Sequence, residues 1–286
     1  MDKYQNNKAF LILSDMEGVS GLIDQRLLYS GRKFWMNYGR YLLTEDINAI
    51  ASALYSKGIK KIYLSENHNF GRNVVVEELL PFISILPPHC ANTNMWGTSF
   101  WKELYKNKNV IGAIILGFPA MAGAGGYLSH SWDNNVFEYI KINGEKYGAI
   151  GTTAALLGEY NIPLIAVIGD EAAAKEATNI IPNINTIVVK KMNKNNWISA
   201  LPPNFAHDLI FKGISEALDN LSNVMPFKVK KPVKFEFKVK KDDYLTVIEE
   251  KKGIKINGKI VVIDALEYLE AYNKFWDYYL KVVFGK

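Results

Sequence analysis

Five short, continuous apolar runs constrain this chain more than any other feature. They are Phe10-Leu11-Ile12-Leu13, Ile62-Tyr63-Leu64, Ala113 to Leu116, Pro163 to Ile168 and Thr186 to Val189. Each is too short for a stable helix, and none alternates between apolar and polar residues. Runs of this kind suit strands buried on both faces, as in a parallel sheet covered by helices. Between the first two lies a helical pattern. Leu43, Ile47, Ile50 and Leu54 recur at spacings that make one apolar face, and Lys57-Gly58 supplies a basic last turn and a glycine stop. Asp170 is placed to cap an alanine-rich helix from Glu171 to Ile181, which ends before Pro182. The reading is an α/β fold with a largely parallel sheet flanked by helices.

The pattern changes near Lys190. A helix is expected from Phe205 to Leu221. Val233 to Val239 then alternates strictly, with Val233, Phe235, Phe237 and Val239 on one side and lysines and a glutamate on the other. That is a half-buried antiparallel strand. Asn257-Gly258 suits a tight hairpin turn. Asp264 with Glu267 resembles a capping box ahead of a last helix, whose apolar stripe is Leu269, Tyr272, Trp276 and Tyr279. The chain therefore divides into an α/β unit, residues 1–192, and a smaller C-terminal α+β domain, residues 193–286.

Composition removes several function classes. A formal charge of +5 over 286 residues is mild. The lysine-rich stretch from Lys228 to Lys241 reads as the wet face of an edge strand, so no nucleic-acid partner is expected. The uncharged stretch beginning at Val110 is broken by Pro119 and several glycines, which argues against a membrane helix of ~20 residues. The N-terminus is polar and lacks a signal-peptide core. Cys90 is the single cysteine, which excludes an internal disulfide and a thiolate zinc cage, and fits a cytoplasmic location.

Chemistry concentrates at strand ends, where open α/β sheets bind ligands. Asp15 and Glu17 follow the first strand. If the backbone stays extended they point the same way, and a divalent cation would relieve their repulsion. Two solvated loop acids is the plainer alternative. His68 follows the second strand and can add an imidazole ligand, or serve structure alone. His130 follows the glycine-rich loop Ala122 to Gly126, where it can act as base, acid or nucleophile, or simply bond within the loop. That loop lacks the third glycine of a dinucleotide fingerprint, and a strand rather than a helix is expected at Leu128. His89 and His207 have no clustered partners and read as structural.

Ser14-Asp-Met-Glu-Gly-Val-Ser-Gly21 resembles the opening signature of the M55 zinc D-aminopeptidases. The likeness continues in family order. It runs through Ser30-Gly-Arg-Lys, Tyr38 to Asp46, Ser65 to His68, Ser129-His-Ser131, Gly169 to Ala177 and Ile181-Pro-Asn183, and is weakest in the C-terminal part. The resemblance implies a metal-dependent hydrolase of short peptides or small amides, assembled as a ring-shaped homodecamer around dinuclear zinc sites. It matches Asp15, Glu17 and His68 to three metal ligands and His130 to the catalytic histidine. Two ligand positions differ. Pro119 stands in Leu116-Gly-Phe-Pro119 where the family has histidine, and Ala149 stands in Gly148-Ala-Ile-Gly151 where it has glutamate. One zinc ion rather than two is the resulting expectation. Asp133, Glu138 and Glu159 are the acids that could replace the missing ligands. A non-catalytic family member, a small-molecule binder or assembly subunit, is the alternative.

Overall fold

In the computed structural model the described residues are 8–86, 104, 109–193, 195, 197–250 and 252–285. His89 and Cys90 lie outside them. Two sheets organise the chain. The larger contains β1 (Lys8–Ser14), β2 (Lys61–Glu66), β3 (Ile83–Ile85), β4 (Asn109–Leu116), β7 (Leu164–Asp170), β8 (Asn185–Met192) and β9 (Ile198–Ala200), in the order β3-β2-β1-β4-β7-β8-β9. The smaller contains β5 (Phe137–Ile142), β6 (Glu145–Lys146), β10 (Val233–Val239), β11 (Ile254–Asn257) and β12 (Ile260–Ala265), in the order β11-β12-β10-β5-β6.

All pairings in the larger sheet are parallel except β8 with β9. The five apolar runs occupy β1, β2, β4, β7 and β8. β1 and β7 are buried almost throughout, because helices cover both faces. These are α1 (Arg40–Ser56), α2 (Ala149–Glu159), α3 (Glu171–Ile180) and α4 (Pro203–Asp219). α1 buries Leu43, Ile47, Ile50 and Leu54, the expected face, and packs on α4. Asp170 caps α3 as anticipated, its side chain accepting the Ala173 amide.

The two sheets do not part the chain at residue 193. The smaller sheet takes β5 and β6 from residues 137–146, while β9 and α4 complete the larger layer. The alternating run is β10, as expected, but it sits inside its sheet between β12 and β5, not at an edge. Its lysines face solvent, and Lys238 pairs with Glu138 at 2.8 Å. The hairpin turn at Asn257-Gly258 joins β11 to β12.

Three local expectations fail. Asp264 belongs to β12 and pairs with Lys255, and Glu267 makes no side-chain cap for α5 (Tyr268–Phe284). The strand that would have continued from residue 264 into a cap instead stays in register with β10. The buried stripe of α5 is rotated from the expected one. Tyr268, Ala271, Tyr272, Phe275, Trp276 and Tyr278 are buried against the smaller sheet, while Leu269 and Tyr279 are half-buried. No strand forms at Leu128, whose φ of +51° is a turn conformation.

The chain leaves β1 to form β2 on one side and later β4 on the other. That reversal opens a crevice at the carboxyl ends of β1 and β4, the preferred ligand position in such sheets.

Candidate metal centre

The site begins where β1 stops. Beyond Ser14 the backbone does not stay extended. It turns, with Val19 N–H bonded to Met16 O, and is clamped to the end of β4 by Asp15 N–H to Leu116 O at 2.8 Å and Gly18 N–H to Gly117 O at 2.7 Å. A side chain at Gly18 would meet the Gly117 backbone at 2.9 Å, so only glycine permits this approach. The turn brings Asp15 and Glu17 together by a route different from the expected one.

Lys190, on β8, fixes the same turn from below. It is fully buried, and its Nζ donates to Glu17 O at 2.8 Å and Leu22 O at 2.5 Å, with the Tyr127 ring 5.1 Å away. Burial lowers its pKa to about 7, against the pull of Asp46, Asp170 and Glu17. Sequence reasoning gave it no role, since it stands beside Lys191 after the apolar run of β8 and reads as an ordinary surface lysine.

His68 enters from the end of β2. The buried Glu66 carboxylate accepts its backbone N–H at 2.8 Å and also the Asn73 backbone and side-chain N–H groups. The ring is oriented too. Nε2–H donates to Leu28 O at 3.0 Å, which leaves Nδ1 facing the carboxylates. Nδ1 lies 2.8 Å from Asp15 Oδ1 and 3.6 Å from Glu17 Oε1. A backbone carbonyl on the far ring nitrogen is the usual partner of a metal-bound imidazole.

Charge is concentrated here. Burial, then the Glu17 charge, lifts Asp15 well above the usual carboxylate range, against the pull of His68. Burial opposes a charged Glu17, yet His68 and, after it, His130 hold Glu17 below that range. Burial also opposes a charged His68, but Glu17 and Asp15 outweigh it and hold the imidazole well above its ordinary value. Glu17 Oε2 is buried without a hydrogen-bond partner. Two carboxylates, one of them carrying an orphan oxygen, and an oriented imidazole nitrogen make a donor set that fits a divalent cation. Ligand atoms of Asp15, Glu17 and His68 all lie within 4.8 Å of one another, and no other such group of three occurs among the described residues.

A cavity of about 400 Å³ opens over these three residues, and His130 lies on its wall. His130 N–H donates to Ala120 O at 3.0 Å, and its Nδ1 lies 2.7 Å from Leu128 O. A carbonyl only accepts, so Nδ1 carries a proton and donates it there, and Nε2 is the ring nitrogen left for other partners. The glycine-rich loop is anchored by Asp170, whose Oδ2 accepts the Tyr127 amide at 2.6 Å. A side chain at Gly126 would strike that oxygen.

The two substituted positions are not among the residues that line the cavity. Pro119 and Ala149 are both buried. Between them stands Glu176 of α3, another residue the sequence did not single out. Its carboxylate accepts Met121 N–H at 2.6 Å and Gly148 N–H at 3.1 Å, tying the Pro119 loop to the start of α2. Burial raises its pKa to about 7. Of the acids named as replacements, Asp133 lines the cavity. Glu138 pairs with Lys238, and Glu159 with Lys231, away from it. His207, expected to lack a clustered partner, lies 3.2 Å from the buried Asp46, which also accepts the Ser20 hydroxyl.

Residues 9–276 match the family described as peptidase M55, D-aminopeptidase. The chain is 31% identical over 214 residues to the D-aminopeptidase of Bacillus subtilis strain 168, covering 74% of each protein. It is also similar to a solved structure, the Zn-dependent D-aminopeptidase DppA from Bacillus subtilis, described as a self-compartmentalizing protease. The TM-score is 0.84 at 25% identity, over 97% of this chain and 98% of that one.

Proposed function

This chain belongs to the peptidase M55 family of D-aminopeptidases, and from that premise we propose that it hydrolyses short peptides at one divalent ion, zinc, held by Asp15, Glu17 and His68, with His130 as the proton-transfer residue. The chain is a metal-dependent peptide hydrolase by its family and its relatives. The observation carrying the site assignment is the convergence of His68 Nδ1 on Asp15 Oδ1 and Glu17 Oε1 at 2.8 and 3.6 Å beneath the cavity.

A bound divalent ion supplies Lewis acidity toward the scissile carbonyl and acidifies water to a pKa near ~7. The protein does the rest. Asp15 and Glu17 would provide anionic oxygens, and Leu28 O keeps the His68 ring in the tautomer that offers Nδ1. The neutral form of His130 carries its lone pair at Nε2, and the residue lines the cavity. There it can accept the proton of an attacking water and return it to the departing amine, a contribution of ~10²–10⁴-fold for such groups. Pro119 and Ala149 offer no donor atom, which supports one ion per chain.

Among the described residues no helix is long and apolar enough to cross a membrane. A cytoplasmic setting fits the lone Cys90. Self-association, into a ring of ten by resemblance, is supported by the self-compartmentalizing relative and by exposed apolar side chains such as Trp197 and Phe205, 73% and 71% exposed.

The test is elemental analysis of the purified chain together with hydrolysis of D- and L-dipeptides. About one zinc per chain with cleavage of D-dipeptides is expected. No metal after reconstitution and no cleavage would turn the reading toward a non-catalytic binder. Two ions would refute the single-ion site.

A further inference from the structure

A peptide with a free N-terminus brings an ammonium group into the cavity. Removing that charge from water is costly unless an anion or several acceptors receive it. Among the described residues lining the cavity, only Asp15, Glu17 and Asp133 carry carboxylates. The first two converge on His68. Asp133 is left.

Its carboxylate is held in place. Oδ2 accepts the Tyr279 hydroxyl at 2.9 Å and Oδ1 accepts the Asn135 amide at 2.7 Å, and each oxygen has a second lone pair to offer. Around it stands an aromatic enclosure. Trp132 meets Trp276 edge-on at 5.0 Å, and Trp276 meets Tyr279 edge-on at 5.4 Å. All three rings line the cavity. Trp132 occupies φ +62°, a conformation costing ~1–2 kcal/mol for a residue with a side chain, and its indole N–H is tied to Thr152 Oγ1 at 2.8 Å. Strain of this kind clusters at ligand clamps. A carboxylate beside aromatic rings is what an organic ammonium selects, since ring faces attract cations.

We propose that Asp133, within the enclosure of Trp132, Trp276 and Tyr279, binds the free amino group of the peptide and makes the cavity selective for unblocked N-termini. This rests on the reading of the cavity as a peptide-hydrolase site. Asp133 acts in binding and takes no part in proton transfer.

The zinc-loaded chain is titrated with D-alanine and with N-acetyl-D-alanine, neither of which has a dipeptide bond to cleave, and binding is followed by ligand NMR. The wild-type chain binds the free amine at least about tenfold more tightly, about 1.4 kcal/mol. Asp133→Asn keeps an acceptor for Tyr279 and loses that preference to within about twofold. Asp133→Glu restores part of it. On the same samples, Asp133→Asn raises KM for a D-dipeptide about tenfold and changes kcat less than threefold. Equal binding of the two ligands by the wild-type chain, or an undiminished preference in Asp133→Asn, overturns the proposal. An amine preference that follows Asp133 in a chain that cleaves no dipeptide upholds it and instead refutes the hydrolase assignment.

Discussion

At the ends of β1 and β2, two carboxylates and an imidazole converge within 4.8 Å, supported by Lys190 from below and by Glu66 and Leu28 O from the side. Beyond the end of β4 and at the start of α2 stand the buried Pro119 and Ala149, and the buried Glu176 ties the two segments together through the Met121 and Gly148 amides. The first side is charged and arranged around a cation. The second has no ligand atom at either substituted position, and its one carboxylate is already engaged by two amides. One side thus holds a charged trio whose chemistry fits a divalent cation, and the other a carboxylate already engaged by backbone amides. The difference teaches that charge can be concentrated at one pair of strand ends while a nearby buried carboxylate is satisfied by backbone amides. Each half rests on its own backbone clamps.

Removing the charged half is the hardest test of that contrast. Asp15→Ala leaves two protein ligands and should release the ion, lowering dipeptide hydrolysis by about 10³-fold or more. Retained stoichiometric zinc in this variant would mean that the metal binds elsewhere. The converse experiment rebuilds the other half. The double variant Pro119→His and Ala149→Glu restores the two family ligands and is expected to raise zinc content from one to two ions per chain by elemental analysis. If it stays at one, the two sides differ in more than ligand identity.

The sheet was legible because its strands are unbroken apolar runs, and burial on both faces demands just that. The grouping of Asp15, Glu17 and His68 was legible because all three stand within three residues of the ends of β1 and β2. Other features had no local signature. Glu66 and Asn73 form a clip only after the turn at residues 68–70 folds back, and Glu176 reads as an ordinary surface glutamate on an alanine-rich helix. Asp133 could be listed as a candidate acid, but its setting depends on α5, more than a hundred residues later. Asp264 and Glu267 matched a capping pattern, yet the register of β12 against β10 took precedence over it. Apart from the Glu66–Asn73 clip, which depends on how the intervening turn folds, long-range pairing decided these cases, and sequence spacing records only local pairing.

The clamp beneath the charged half can be tested without touching a ligand. Lys190→Met keeps the buried stem but removes the donor to Glu17 O and Leu22 O. Lost charge-assisted hydrogen bonds are worth ~1.5–3 kcal/mol each, partly offset because an ammonium no longer has to be buried. A net loss of about 2 kcal/mol in urea unfolding is expected, with zinc affinity weakened about tenfold as the Asp15–Glu17 turn loosens. A variant that loses stability but binds zinc as tightly as before would show that the turn is held by β4 alone.

The smallest effect belongs to the metal-free side and is a matter of pH. Burial raises the Glu176 pKa from its ordinary 4.5 to about 7, so the folded state holds this proton more tightly than the unfolded chain does. For a group shifted upward, the associated stability is fully present below the unfolded value and is lost as pH rises through the folded one. Between pH 4.5 and 7 the wild-type chain should therefore lose stability through Glu176, by an amount bounded at about 3 kcal/mol by the size of the shift. Glu176→Gln cannot ionise. It retains an acceptor oxygen for one of the two amides, and its urea midpoint should fall less than the wild-type midpoint over the same interval. Parallel pH profiles for the two proteins would mean that Glu176 is already charged in the folded state. The second region would then hold a fixed negative charge, and its contrast with the first would rest on the missing ligands alone.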